Sequence, residues 1–469
     1  MSEPLWTSDE IIAATGGVLA GEAFAATGVS IDTRSIEPGD LFVALAGARD
    51  GHDFIDLALA KGAAGVLASR PGPGSRIGVG DTLIGLEALG AAARDRAVGA
   101  RRGAVTGSVG KTSITQALGA GLALAGPSHA SVKSYNNHIG VPLTLARMPR
   151  ATRRAVFEVG MNHAGEIEPL SRLIAPHAVV ITTVGPVHIE NFEDGEEGVA
   201  QAKAEIFAGL RPGGAAVLNA DNAWFGLLSG QAREAGARVA SFGSGEACDA
   251  RLTGFSVTDT GAVVSATLHG RDLTFPIRQS GLHWGLNSLA VLLMLETLDV
   301  EREIALAALA DFAPLAGRGA SRQLAISGGA VTLIDESYNA NPVSMAAALA
   351  AIGARQDATR RIVVLTDMLE LGPESRRYHA QLAAPIAAAG VDLVFCAGEL
   401  MGALWDALAP AQRGVYALSA AELAAQVAAA LKPGDVVMVK GSNGSRAGSI
   451  VADLVALLQT PSAGEGAAS

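Results

Sequence analysis

Aromatic residues are scarce in this chain, 4% of 469, so its cores must be built from aliphatic side chains and alanine. Charged residues are few as well, 17% against 49% hydrophobic, which leaves ample material for buried cores. The formal net charge of −11 argues against a polyanion such as nucleic acid as the main partner, while leaving room for a local basic nucleotide site. Only two cysteines occur, Cys248 and Cys396, both among small or apolar neighbours. They fit reduced thiols rather than a disulfide framework. The opening residues, MSEPLWTSDEII, have no basic n-region and no apolar h-region, so no signal peptide is expected. Apolar runs such as 290–295 are too short to span a bilayer, which needs about 20 residues. These absences predict a soluble, cytoplasmic protein without membrane insertion.

Glycine is abundant, 57 of 469 or about 12%, against a typical ~7%, which suits many tight turns between strands and helices. At about 150 residues per domain, two to four domains are expected. Strand-like runs alternate with helical patterns, which implies α/β architecture with parallel sheets whose ligands gather at the carboxyl ends of strands. Pro71-Gly72-Pro73-Gly74 breaks the chain before a linker near Gly80-Asp81. The expected division is a small α/β N-terminal unit at 1–82, a central P-loop-type parallel or mixed-sheet domain at 83–314, and a Rossmann-like C-terminal domain at 315–459. Residues 460–469, small and polar, read as a disordered tail.

The stretch that organises the chain is RGAVTGSVGKTSITQALGAGLALA, residues 102–125. A short apolar run meets Gly107-Ser108-Val109-Gly110, then Lys111-Thr112-Ser113, then a helical pattern with Ile114, Leu118 and Leu122 spaced by four. Strand, glycine loop and helix are the context that turns a Lys-Thr pair into a phosphate site. Glycines let main-chain N–H groups converge on phosphate oxygens, and the helix N-terminus adds partial positive charge. Lys111 is expected to reach the β- and γ-phosphates and the Thr112 hydroxyl to meet Mg²⁺. The usual pattern wants glycine five residues before Gly110, where Val105 stands. The alternative is a glycine-rich turn carrying a solvent-facing lysine.

Further strands end in polar residues. Glu158 and His188 fall at two such ends, and with Thr112 they read as a divalent-metal shell. A histidine is less usual on Mg²⁺, which leaves Mn²⁺ open, and His188 could equally be a capping or core histidine. Lys203 lies in a helical stretch, 198–210, between two alanines, and its spacing does not distinguish it from a solvated surface lysine. In the first unit Asp32, Thr33, Arg34 and Ser35 form a polar loop that either grips a ligand or pairs locally.

Together these residues resemble the Mur ligase family over nearly the whole chain. The carriers are SIDTRSIEPGDLFVAL, TGSVGKTS (the family's shortened phosphate loop), NNHIGVPLTL, EVGMNHAGEI, VGPVHIE with AKAEIF, DESYNANPVSM, TDMLELG and VKGSNGSR. The family's frequent His-Asn pair reads His283-Trp284 here. The resemblance implies an amide ligase that spends ATP, with Mg²⁺, to join D-alanyl-D-alanine to UDP-N-acetylmuramoyl-tripeptide, and a monomer that binds small molecules. It implies catalytic roles for Lys111, Glu158, His188 and Lys203, the last carboxylated to a carbamate that helps hold metal. It implies ATP contacts from residues 107–113, Asn287, Arg318, Asp335, Tyr338 and Asn339. Substrate contacts are expected from Ser30, Thr33, Arg34, Ser35, Asn136, Asn137, Asn341 and Ser442. Sibling amide ligases of folylpolyglutamate or cyanophycin type, and a non-enzymatic P-loop switch, are the rival classes.

Overall fold

The computed structural model describes residues 3–132, 134–187, 189–258 and 260–459. Its centre is a nine-stranded sheet. Six parallel strands run in the spatial order Ser128–Ala130, Arg154–Glu158, Arg101–Thr106, Ala178–Ile181, Ala215–Asn219 and Arg238–Gly243. Ala250–Thr258 continues the sheet and starts an antiparallel meander with Gly261–Leu268 and Arg271–Ile277. The parallel strands are buried on both faces, which is why they read as unbroken apolar runs rather than alternating ones. Alternation is nonetheless obeyed in space. Val105, Val156, Val180 and Val217 face the helices Lys111–Leu124 and His283–Thr297. Ala104, Phe157, Val179, Ile181 and Ala216 face the opposite layer, which includes Ile167–Ile174 and Glu196–Ala204.

The C-terminal sheet has six strands, in the order Ala320–Ile326, Gly329–Glu336, Asp435–Lys440, Arg360–Thr366, Leu393–Ala397 and Arg413–Ala417. All neighbours are parallel except the first pair, a hairpin. Its first strand, ASRQLAI, shows little apolar signal because it is an edge strand in which Leu324 is buried while Ser321, Arg322 and Gln323 are exposed. The α/β class and the three-domain plan hold. The helix expected over 198–210 is instead an α-helix, Glu196–Ala204, followed by a 3₁₀ segment, Glu205–Gly209. Glu205 is diverted to cap another helix, its carboxylate accepting the N–H groups of Gly165, Ile167 and Glu168. A side chain at Gly209 would collide with the Ser171 main chain, so this turn must stay tight.

The N-terminal sheet runs Val18–Ala20, Arg76–Gly78, Gly65–Ala68, Asp40–Val43, Gly28–Ser30. The helix Thr82–Arg96, expected to open the second domain, buries Leu86, Leu89 and Ala93 in one core with Trp6, Leu41, Leu67 and Leu143. It is a wall shared by two domains. The Trp6 indole N–H donates to Ala146 O at 2.8 Å, and the Arg96 guanidinium lies 3.7 Å over the Trp6 ring.

Asp50, His52 and Ser69 have the residue types of a nucleophilic triad, with His52 Nδ1 2.6 Å from Asp50 Oδ1 and Nε2 3.1 Å from Ser69 Oγ. The Ser69 main-chain N–H also donates to Nε2, at 3.0 Å, which occupies the lone pair a general base needs. The trio is a clasp that ties a loop to a strand end.

One ion pair is tested by stability. The Asp435 carboxylate is fully buried and takes two hydrogen bonds from Arg360, at 2.9 and 2.6 Å. Arg360→Ala strands a buried charge and is expected to lower stability by about 3 kcal/mol in urea unfolding, whereas the pair replaced by apolar residues of similar volume costs less.

Candidate functional site

The phosphate loop is four residues long, between Thr106 at a strand end and Lys111 at a helix start. Val105, where a longer loop would carry glycine, is fully buried inside the strand and paired with Glu158 and Val180. Gly107 has φ +146°, and a Cβ there would collide with the Thr182 hydroxyl. Gly110, φ +88°, is the helix N-cap. The segment after the neighbouring strand pins the loop. Ser108 N–H donates to Thr183 O at 2.8 Å, Ser108 Oγ exchanges two 3.0 Å bonds with Gly185, and the Thr182 hydroxyl donates to Val109 O. Lys111 Nζ folds back onto Gly107 O at 2.6 Å.

This loop floors a cavity of about 580 Å³ lined from both the central and the C-terminal domains. Of the expected nucleotide residues, Ser108 to Ser113, Asn287, Arg318, Tyr338 and Asn339 line it, as do Glu158, Asn136, Asn137 and Asn341. Gly107 carries the strand into the loop. Asn287, in the first turns of His283–Thr297, stands against Gly110. Arg318 arrives on a turn and stacks 4.0 Å over the Tyr338 ring.

Several of the expected side chains carry local structural tasks. Asp335 was expected on ATP, yet its carboxylate accepts from Gly317 N–H, Ser337 N–H and Ser337 Oγ at 2.9, 3.2 and 2.6 Å. It shapes the turn that presents Arg318. Ser442 Oγ accepts from Leu369 N–H at 3.0 Å and donates to Ala340 O at 3.3 Å, so it staples two C-terminal loops. Asn341 caps the helix Pro342–Gly353 through Ser344. Asn137 caps Gly140–Ala146 through the N–H groups of Ile139 and Gly140. His188 lies outside the described residues. Ser30, Thr33, Arg34 and Ser35 do not line the cavity. They sit in the N-terminal domain, where Arg34 pairs with Asp32 and thereby pulls the Asp32 carboxyl down to about 2. Tyr135, between cavity residues Ser134 and Asn136, is within electrostatic reach of Arg34 and Arg147.

The cavity holds alternating charge. Lys111 is influenced by Glu158 and Arg318, and Lys440 by Glu336 and Arg318. Burial is the first cause that lowers both lysines. Glu336 and Lys440 are register partners on adjacent parallel strands, with Nζ 3.5 Å from Oε2 and 3.1 Å from Asn339 O. Sequence reading passed over this pair, and over Ser134, because each is one polar residue among many at strand ends. Three cations, Lys111, Arg318 and Lys440, stand among three carboxylates, Glu158, Glu166 and Glu336, so positive charge is placed locally rather than in excess.

Glu158 is 1% exposed. Its Oε1 accepts from Asn136 Nδ2 at 2.7 Å, while Oε2 finds no partner among the described residues. A buried, unsatisfied carboxylate oxygen in the same cavity wall as the Thr112 hydroxyl suits a hard cation such as Mg²⁺. No group of three His, Cys, Asp or Glu forms a metal cluster among the described residues, so the donor set would be mixed. Lys203 is 3% exposed and not a surface lysine. Burial first, and repulsion from Lys111 second, hold its pKa well below the ordinary lysine value.

A phosphate loop at the carboxyl edge of a parallel sheet, closed over by a second α/β domain, defines a P-loop-type nucleotide-binding protein. Family models add the rest: the Mur ligase middle domain matches residues 105–295, the Mur ligase glutamate ligase domain 322–443, and the Mur ligase family catalytic domain 25–84. The chain belongs to the Mur ligase family, a family of ligases. It is 33% identical to the UDP-N-acetylmuramoyl-tripeptide–D-alanyl-D-alanine ligase of Bacillus subtilis, over 94% of this chain and 96% of that one. It is 37% identical to the Escherichia coli ligase of the same name, over 82% and 84%. The crystal structure of MurF from Acinetobacter baumannii superposes with a TM-score of 0.85 at 26% identity, covering 97% of this chain and 99% of that one.

The buried Lys203 makes a pH prediction. Its folded pKa is depressed, so the unfolded chain, near pKa 10.4, takes up the proton first as pH falls. In CO₂-free buffer the native protein is expected to lose stability relative to Lys203→Met as pH falls from about 10.4 to 7, read as urea midpoints, with the pH-dependent difference gone only above the unfolded pKa.

Proposed function

We propose that this chain is the ATP-dependent ligase that joins D-alanyl-D-alanine to UDP-N-acetylmuramoyl-tripeptide, releasing ADP and phosphate and giving the pentapeptide precursor of peptidoglycan. The observation that carries the reading is the meeting of Lys111, Glu158 and Arg318 in one cavity, in a chain 33–37% identical to ligases of that name over most of its length.

In this reading the tripeptide's terminal carboxylate attacks the γ-phosphorus of ATP. The P–O bond to ADP breaks, and an acyl-phosphate forms. Two anions must approach, so Lys111 and Arg318 supply positive charge where negative charge spreads in the transition state. The main-chain N–H groups of the loop hold the phosphates. Glu158 and Thr112 would hold Mg²⁺, with Mn²⁺ as an alternative, and His188 and Lys203 are the further ligands we assign. The cation supplies charge neutralisation on the phosphates. The neutral amine of D-alanyl-D-alanine then attacks the acyl carbon, phosphate leaves, and the amine loses a proton. An acyl-phosphate is open to hydrolysis, so the C-terminal domain, bringing Arg318 and Tyr338 onto the cavity, serves to exclude water.

Lys203 gains a role from its position. A buried amine with a depressed pKa is a nucleophile for CO₂, and the resulting carbamate converts repulsion from Lys111 into attraction. Ser30, Thr33, Arg34 and Ser35 are assigned to the uridine end of the substrate. Ser134, at the start of the loop 134–137, lies 3.1 Å from the Thr112 hydroxyl on the phosphate-loop helix. We place the reaction in the cytoplasm, with a monomeric enzyme. No described helix is long and apolar enough to cross a membrane.

The test is phosphate release with ATP, Mg²⁺, the tripeptide substrate and the dipeptide, each omitted in turn, with the product weighed by mass spectrometry. Release is expected only with all four, with ADP and not AMP as the nucleotide product. Release that ignores the dipeptide makes a sibling ligase the better reading. Lys111→Ala is expected to lower turnover by at least about 10³-fold while circular dichroism and melting stay near native.

A further inference from the structure

Ser134 touches both halves of the cavity wall, yet no part of the mechanism above uses it. Its hydroxyl accepts a hydrogen bond from Tyr338 OH at 2.8 Å, across 204 residues of chain, and lies 3.1 Å from Thr112 Oγ1. Tyr338 is held from its other side, with Arg318 stacked 4.0 Å over the ring and its own N–H donating to Gly317 O at 3.0 Å. A continuous chain of contacts therefore runs Arg318, Tyr338, Ser134, Thr112. It starts beside the C-terminal sheet and ends in the first turn of the phosphate-loop helix.

We propose that Ser134 is a positioning residue that couples the seating of the C-terminal domain to the orientation of the Thr112 hydroxyl. The inference rests on the nucleotide reading above and adds to it a link between domain closure and cation affinity. The reason is a count of protons. Each hydroxyl has one proton to donate and two lone pairs to accept with. Tyr338 commits its proton to Ser134. If Thr112 Oγ1 offers a lone pair to a cation, its proton turns toward Ser134, which then accepts twice. The Ser134 proton is freed toward the cavity, where an anionic phosphate oxygen is the natural acceptor. With the C-terminal domain displaced, Tyr338 is absent and Ser134 loses the partner that holds its rotamer. The Thr112 hydroxyl is then no longer fixed. Networks of this kind respond as a unit rather than bond by bond.

The test compares Ser134→Ala, Tyr338→Phe, the double variant and Ser134→Thr by two readouts. One is the radius of gyration of the unliganded protein in small-angle X-ray scattering. The other is the Mg²⁺ concentration for half-maximal ADP binding in calorimetry. Both single variants are expected to enlarge the unliganded protein and to raise the Mg²⁺ requirement about three- to tenfold, the factor for one net hydrogen bond of 0.5–1.5 kcal/mol. The double variant should be no worse than the poorer single one, and Ser134→Thr should return both readouts toward native. An unchanged Mg²⁺ requirement, or single effects that add in full, overturns the coupling. If native protein binds no ADP at any Mg²⁺ concentration, the nucleotide reading fails instead. The scattering arm still decides the contact, because unchanged dimensions in both single variants overturn it.

Discussion

Everything in the site depends on a loop that has no room to be anything else. Four residues must turn the chain from the end of a buried parallel strand into a helix, and the neighbouring strand's exit segment presses against them. Gly107 keeps its place because the Thr182 hydroxyl occupies the space a side chain would need. Ser108 and Val109 are then bonded to Thr183, Gly185 and Thr182. The loop is rigid because the sheet beneath it is rigid. A phosphate cradle that does not have to be organised on binding loses little affinity to ordering.

Around that cradle the protein tolerates groups it would elsewhere avoid. Lys203 and Lys440 are buried, Lys111 is half-buried, and Glu158 keeps one carboxylate oxygen unsatisfied among the described residues. Each is costly for the folded chain taken alone. Contrast Asp435, equally buried but fully matched by Arg360, or His379, whose two ring nitrogens are bonded to Met368 N–H and Ser375 O. Groups with full sets of partners hold the fold, whereas the free Glu158 oxygen lies in the wall of the cavity, where a cation would complete it.

Much of this was legible in the chain. Short aliphatic runs ended by glycine loops announced parallel strands, and TGSVGKTS announced the phosphate site, because local periodicity and turn chemistry are properties of contiguous residues. Reading did not reach tasks that are set by a distant partner. Asp335 looks like a ligand-binding carboxylate at a strand end, but it is spent on Gly317 and Ser337. Ser442 sits in a polar loop but staples Leu369 to Ala340. Glu205 ended a helix early because another helix needed its carboxylate.

The sequence by itself determined the α/β class, the place of the phosphate loop, the strand ends that carry Glu158 and Arg318's neighbours, and the family. Only the tertiary structure decided that Lys203 is buried rather than solvated, that Glu336 faces Lys440, and that Ser134 joins Thr112 to Tyr338. The physical reason is the range of the forces involved. Backbone conformation and hydrophobic period act over a few residues and leave their pattern in the order of the chain. Burial, charge pairing and hydrogen bonding across 100 to 200 residues depend on which strands become neighbours, and that is settled when the sheets assemble.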